Sequence, residues 1–175
     1  ASDKGHRVFI QSLEESTQAI GSRLLARKAH IANEALNRGT VSEDQWQRID
    51  TCLNAMADSK LIIDERACLS SSQICQGVRR EHAREPIQLL IIDHLQQVRE
   101  EAQNRHLEIS QAVARFKELA KEIKIPIILV CQLSRQVEMR SEKRPQLSDL
   151  KESGDIEAIA DTVLVRCDVD QRAVL

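Results

Sequence analysis

Aromatic residues are scarce in this chain: two Phe, one Trp and no Tyr among 175 residues. A platform on which successive bases stack has almost nothing to build on. Apolar residues never run on for more than about five positions, so no segment suits a membrane span. The N-terminal ASDKGHRVFI lacks the apolar stretch of a secretory signal. An excess of one charge is missing too. Lys and Arg number 25 against 27 Asp and Glu, for a formal net charge of −2. A globally basic nucleic-acid binder is thereby excluded, and any contact with DNA or RNA must be local. The five cysteines are odd in number and form no CxxC or zinc-like spacing. That usage points to a reducing, intracellular compartment. Five glycines and three prolines are scattered, so no linker divides the chain, and residues 1–175 are expected to form one unit.

What is present is an alternation of short apolar runs and amphipathic stretches. The runs Arg7–Ile10, Leu61–Asp64, Ile87–Asp93, Ile127–Gln132 and Thr162–Arg166 read as strands. The third and fourth are near-continuous Ile, Leu and Val, as in strands covered on both faces. Helical spacing marks Ser16–Leu36, Ser42–Ala57, Ser72–Ala83 and His106–Lys124, with a weaker helix from Gly154. Strands alternating with helices predict an α/β fold with a mostly parallel sheet. Ligands in such sheets bind beyond the carboxyl ends of the strands.

The residues at those ends carry the candidate chemistry. In IQLLIIDHLQQV, an apolar run delivers Asp93 to the sheet edge. There it either terminates the strand or helps hold Mg²⁺ beside a triphosphate. Gln132 ends the run IILVCQ, either as an ordinary strand terminus or as an amide that senses a terminal phosphate. Glu14 stands just past the first strand. It is placed to polarise an attacking water or to favour the N-terminus of the following helix. From Arg135 to Lys151 there are five basic and three acidic residues. This stretch reads as a solvated loop or as a local grip on phosphates next to Gly154.

The order of these segments resembles the C-terminal domain of DnaB-like replicative helicases, a RecA-type fold. The segments are VFIQSLEES (8–16), NRGTVSEDQW (37–46), LLIIDHLQQV (89–98), 106–140 and KRPQLSDLKESGDIEAIADTVLVR (143–166). The resemblance implies a RecA-like core, a mostly parallel sheet flanked by helices. By it, residues 1–175 are a partial motor domain that uses ATP and Mg²⁺ to move 5′–3′ on single-stranded DNA and unwind duplexes. Glu14 corresponds to the SLE-motif glutamate acting on the attacking water. Asp93 corresponds to the Walker B aspartate that supports the metal. Gln132 corresponds to the glutamine linking the terminal phosphate to the DNA loops. Lys151, Glu152 and Gly154 correspond to the channel loop that holds the strand backbone. Implied partners are single-stranded DNA and identical subunits in a ring, with primase and a helicase loader as further candidates and no membrane. The implied setting is the cytoplasm of a bacterium or phage-infected host.

Several positions depart from the family pattern. Gln11 stands where an aromatic residue is usual, Glu15 where Met is, and His94 where Tyr is. Lys151 replaces an arginine and loses its planar fork. No glycine opens a GxxxxGKS or GxxxxGKT loop. By the resemblance that loop lies shortly before the first strand, and the trans-acting Lys-x-Arg finger lies beyond the last one. The expectation is a chain that begins just after the one and stops before the other, inactive by itself. Two other readings stay open: a RecA-type ATPase of the recombination or clock class, and a non-catalytic module derived from a helicase.

Overall fold

The computed structural model describes residues 2–134, 144, 146–150 and 154–165. Among the described residues four strands form one sheet: β1 (Val8–Ser12), β2 (Leu61–Asp64), β3 (Leu89–Asp93) and β4 (Ile127–Leu129). Their order is β2-β1-β3-β4 and every pairing is parallel. Parallel neighbours need long crossovers, and the helices supply them. Between β1 and β2 lie α1 (Thr17–Lys28), α2 (Asn33–Arg38) and α3 (Glu43–Ala57). Between β2 and β3 lies α4 (Ser71–Arg84), and between β3 and β4 lies α5 (Arg105–Ile123). A short α6 (Gly154–Ile159) follows.

Local sequence sets the helix starts. Ser42 and Ser70 each accept a hydrogen bond from the backbone of a glutamine three residues on, and that glutamine's side chain accepts one from the serine N–H. Two orphan donors are satisfied at each start. Asn104 caps α5 through Leu107 N at 3.0 Å.

The main core lies on one face of the sheet. Phe9, Leu90 and Ile92 pack there with Ile74 and Val78 of α4 and with Ile109, Val113, Phe116 and Leu119 of α5. Burial along β3 alternates, so Leu89 and Ile91 on the other face are only half-buried. Ile10, Ile63, Ile91 and Ile128 fall in one row across that second face. Ile128 is exposed. Coverage on both faces, expected from the apolar runs, is therefore not found among the described residues. Burial pushes the thiols of Cys75 and Cys131 up to about 11.

Two further expectations are corrected. The helix predicted over Ser16–Leu36 is two helices. His30 takes a left-handed conformation (φ 53°) between them, and Ile31 N bonds back to Ala26 O at 2.9 Å. The turn sends Ala29 and Ile31 inward against Ile49 of α3. The strand predicted over Thr162–Arg166 is absent at 162–165, and Arg166 lies outside the described residues. Thr162–Val165 and the β4 segment both line an apolar groove of about 610 Å³ instead of pairing. Leu164 is 92% exposed there. β4 itself is shorter than expected, although Val130 N still bonds Ile92 O at 3.0 Å.

Candidate functional site at the strand ends

β1 delivers a tight turn to the carboxyl edge of the sheet. Ser12 Oγ donates to Glu15 O at 2.6 Å and accepts from Glu15 N at 3.2 Å. Leu13 N donates to Asp93 O at 2.7 Å, which fixes the end of β1 against the end of β3. The turn presents Glu14, whose side chain is 59% exposed. Its Oε2 lies 3.1 Å from His94 Nδ1.

Asp93 is the last residue of β3 and stands opposite Ser12 in the ladder. It is half-buried. His94 follows it and is 5% exposed. A short 3-10 turn, Leu95–Gln97, comes next. Leu95 N bonds Val130 O at 2.9 Å, which carries the β3–β4 contact past the end of the strands. Gln132 N donates to Gln96 Oε1 at 3.1 Å. The other end of that amide, Gln96 Nε2, is buried with no hydrogen-bond partner among the described residues.

Glu14, Asp93 and Gln132 thus lie at or just past the carboxyl ends of three neighbouring strands, at the same edge of the sheet. The segment after Gln132 joins a second one. Leu133 bridges Leu150 in antiparallel fashion, and Ser134 N bonds Asp149 O at 2.7 Å. Lys151 and Glu152 lie outside the described residues. Gly154 opens α6, and nothing lies within 4 Å of where a Cβ would stand, so space does not demand a glycine. α6 is clasped to α5. Ser110 donates to Asp155 Oδ2, and His106 Nδ1 lies 3.7 Å from the same oxygen.

At the end of β2, Asp64 and Arg66 form a bidentate pair, with Arg66 Nε 2.9 Å from Asp64 Oδ1. The Arg66 side chain holds the Asp64 carboxyl below its ordinary range against an opposing effect of burial. Gln11, buried, donates Nε2 to Asp64 O and Arg66 O at 3.1 and 3.2 Å. An amide there bridges two strand ends, which the usual aromatic residue could not do.

A divalent cation would not find a ready-made cage. Among the described residues no group of three His, Cys, Asp or Glu is arranged to hold one. Asp93 fits a supporting role, because it stands at the open edge and its side chain has no hydrogen bond or ion pair among the described residues. His94 and Gln96 were not given roles from the sequence. Their signal there is only their place directly behind Asp93.

The sequence model of the DnaB-like helicase C-terminal domain matches residues 1–172. A replicative DNA helicase DnaB of Rickettsia prowazekii is 41% identical over 155 residues, 87% of this chain and 32% of that protein. The protein of the same description from Geobacillus stearothermophilus is 32% identical over 166 residues, 93% of this chain and 37% of its own length. The chain therefore spans about a third of these relatives. Among solved structures, a DnaB-like replicative helicase described with its interactions with primase superposes with a TM-score of 0.84 at 33% identity. The match covers 91% of this chain and 40% of that one. A second solved structure, described as an ATPase domain, gives a TM-score of 0.85 at 32% identity, covering 91% of this chain and 58% of that one. A parallel sheet with these residues at its carboxyl edge, and a match running nearly end to end, establish that this chain belongs to the DnaB-like helicase C-terminal domain family.

Proposed function

We propose that the chain is part of the motor domain of a hexameric replicative helicase that couples ATP hydrolysis to 5′–3′ movement on single-stranded DNA. The observation that carries this reading is the convergence of Glu14, Asp93 and Gln132 at one sheet edge. In this reading Glu14 accepts a hydrogen bond from the attacking water and aligns it. Asp93 supports Mg²⁺, which when bound neutralises charge on the phosphate oxygens. The Gln132 amide hydrogen-bonds the terminal phosphate. Its route to the strand-binding loop is short: Leu133 and Ser134 touch Leu150 and Asp149, directly ahead of Lys151 and Glu152. Lys151, Glu152 and Gly154 would hold the DNA backbone, giving sequence-independent contact. Single-stranded DNA and identical subunits are the proposed partners, and primase and a loader are further ones. The near-neutral charge fits a ring in which only the lining faces DNA.

The 175 residues hold no GxxxxGKS or GxxxxGKT, the loop whose amides and lysine cradle a triphosphate. The polypeptide as given is therefore expected neither to bind ATP tightly nor to hydrolyse it. The test uses the longer helicase polypeptide that contains this segment together with such a loop. That protein should unwind forked duplexes rather than pair homologous strands. Glu14→Gln should cut its DNA-stimulated turnover by about 10²-fold or more, with nucleotide still bound. Unchanged turnover in Glu14→Gln would overturn the assignment, and DNA-stimulated turnover by the 175-residue chain alone would refute its expected inactivity.

A further inference from the structure

Glu14 is the exposed residue of its turn, and an exposed glutamate side chain is free to sample several rotamers. An aligned base cannot be so free, because small misplacements at a reacting centre are expensive in rate. The structure holds one group that can restrain it. His94 Nδ1 lies 3.1 Å from Glu14 Oε2, and no other partner of that imidazole is recorded among the described residues. The two partners differ in kind. His94 is 5% exposed and its backbone is anchored on both sides. Asp93 before it is in the ladder, Leu95 N after it bonds Val130 O, and Gln97 N bonds His94 O at 2.9 Å. An ion pair between two exposed side chains would hold nothing in place. A buried ring nitrogen is different, since leaving it without a partner is unfavourable.

The geometry points to His94 as a positioning residue for Glu14: the fixed imidazole donates Nδ1–H to Oε2 and leaves Oε1 for the water. An ionised carboxylate only accepts, so the proton of the neutral ring must sit on Nδ1. This inference deepens the reading of Glu14 given above and rests on it for its catalytic meaning. The contact itself does not depend on that reading.

The deciding experiment is nitrogen NMR on the 175-residue chain labelled in its five histidines, in mildly alkaline buffer where imidazoles are neutral. His94 should be the Nδ1–H tautomer. Glu14→Ala, at an exposed position that does not threaten the fold, should move His94 toward Nε2–H and leave the other four unchanged. An identical His94 spectrum in both proteins would overturn the proposal. With carbon-labelled glutamate, the Glu14 carboxylate signal should move to that of a free exposed glutamate in His94→Leu. It should return in His94→Asn, whose amide puts an N–H where Nδ1 was. No movement in His94→Leu, or no return in His94→Asn, also counts against it. If His94→Leu fails to fold, the Glu14→Ala comparison decides. In the longer helicase polypeptide, His94→Leu should lower kcat about tenfold with nucleotide KM unchanged. A failed Glu14→Gln turnover test would remove the proposed catalysis and leave the NMR contact standing. A failed NMR test would remove the contact and leave the role of Glu14 untouched.

Discussion

Arg66 reaches back two residues to grip Asp64 with Nε and Nη2, the latter 2.5 Å from Oδ2. Its side-chain hydrogen bonds are the leading reason the Asp64 carboxyl titrates low, and burial opposes them. A depressed folded pKa means the unfolded state binds the proton more readily as pH falls. The pair therefore adds stability above the unfolded pKa, about 3.9, and that stability is lost as pH falls through the folded value. Arg66→Ala should lower the melting temperature at neutral pH, and the gap to the parent should shrink in acid. A gap that stays constant down to about pH 2 would assign the loss to packing instead. At this scale the sequence showed Asp93 as the last residue of its strand, because an apolar run has a visible last residue. Glu14 falls two residues past β1, and the run to Gln132 overshoots β4, which ends at Leu129. The bonds His94–Glu14 and Gln132–Gln96 were not legible, because each joins residues far apart in the chain. They exist only because β1, β3 and β4 are neighbours in the sheet.

Elements were readable where local chemistry decides them. Ser42 announced α3, helical spacing over Ser72–Ala83 marked most of α4 without its Ser70 cap, and the periodic row Ile109, Val113, Phe116 announced α5. The end of α5 shows where local chemistry is overridden. Lys124 closes it with φ 55° and ψ 44°, a left-handed geometry that a side chain resists, and its N–H bonds Ala120 O. Gly39 does the same work at the end of α2 without that penalty. Lys124→Gly should therefore raise stability by about 0.5–1 kcal/mol, read as a higher urea midpoint with an unchanged slope. A lower midpoint would show that the Lys124 side chain contributes more than its backbone strain. The break between α1 and α2 was hidden for a related reason. His30 adopts φ 53° although no glycine or proline marks the place. What selects the turn is the burial of Ala29 and Ile31 against Ile49, a contact made across the next loop. The missing strand at 162–165 has a tertiary cause as well. Val163, Leu164 and Val165 suit a strand by composition, yet pairing is a tertiary matter: the segment lines a groove together with β4 residues without joining the sheet edge that β4 leaves open.

At the scale of the whole molecule, the described residues form two apolar centres of unequal size. The larger joins the sheet to α4, α5 and α6 and buries eighteen residues. The smaller holds only Ala29, Ile31 and Ile49, with Leu25, Leu36 and Cys52 packed around them. α2 and α3 rest on that small centre, whereas the strands that carry Glu14 and Asp93 rest on the large one. Regions with few buried apolar contacts open first in the native state. Native-state hydrogen exchange should therefore find α3 amides opening at a lower free energy than Leu90 and Ile92 of β3. Ile49→Ala isolates the two. Truncating a buried isoleucine costs about 2–5 kcal/mol, and here the loss falls on the small centre. In that variant the α3 amides should approach the exchange rates of an unfolded chain while β3 keeps its protection. Equal loss in both would mean the two centres form one cooperative unit. The expected split would mean that the excursion between β1 and β2 can loosen while the edge carrying Glu14, His94 and Asp93 stays intact.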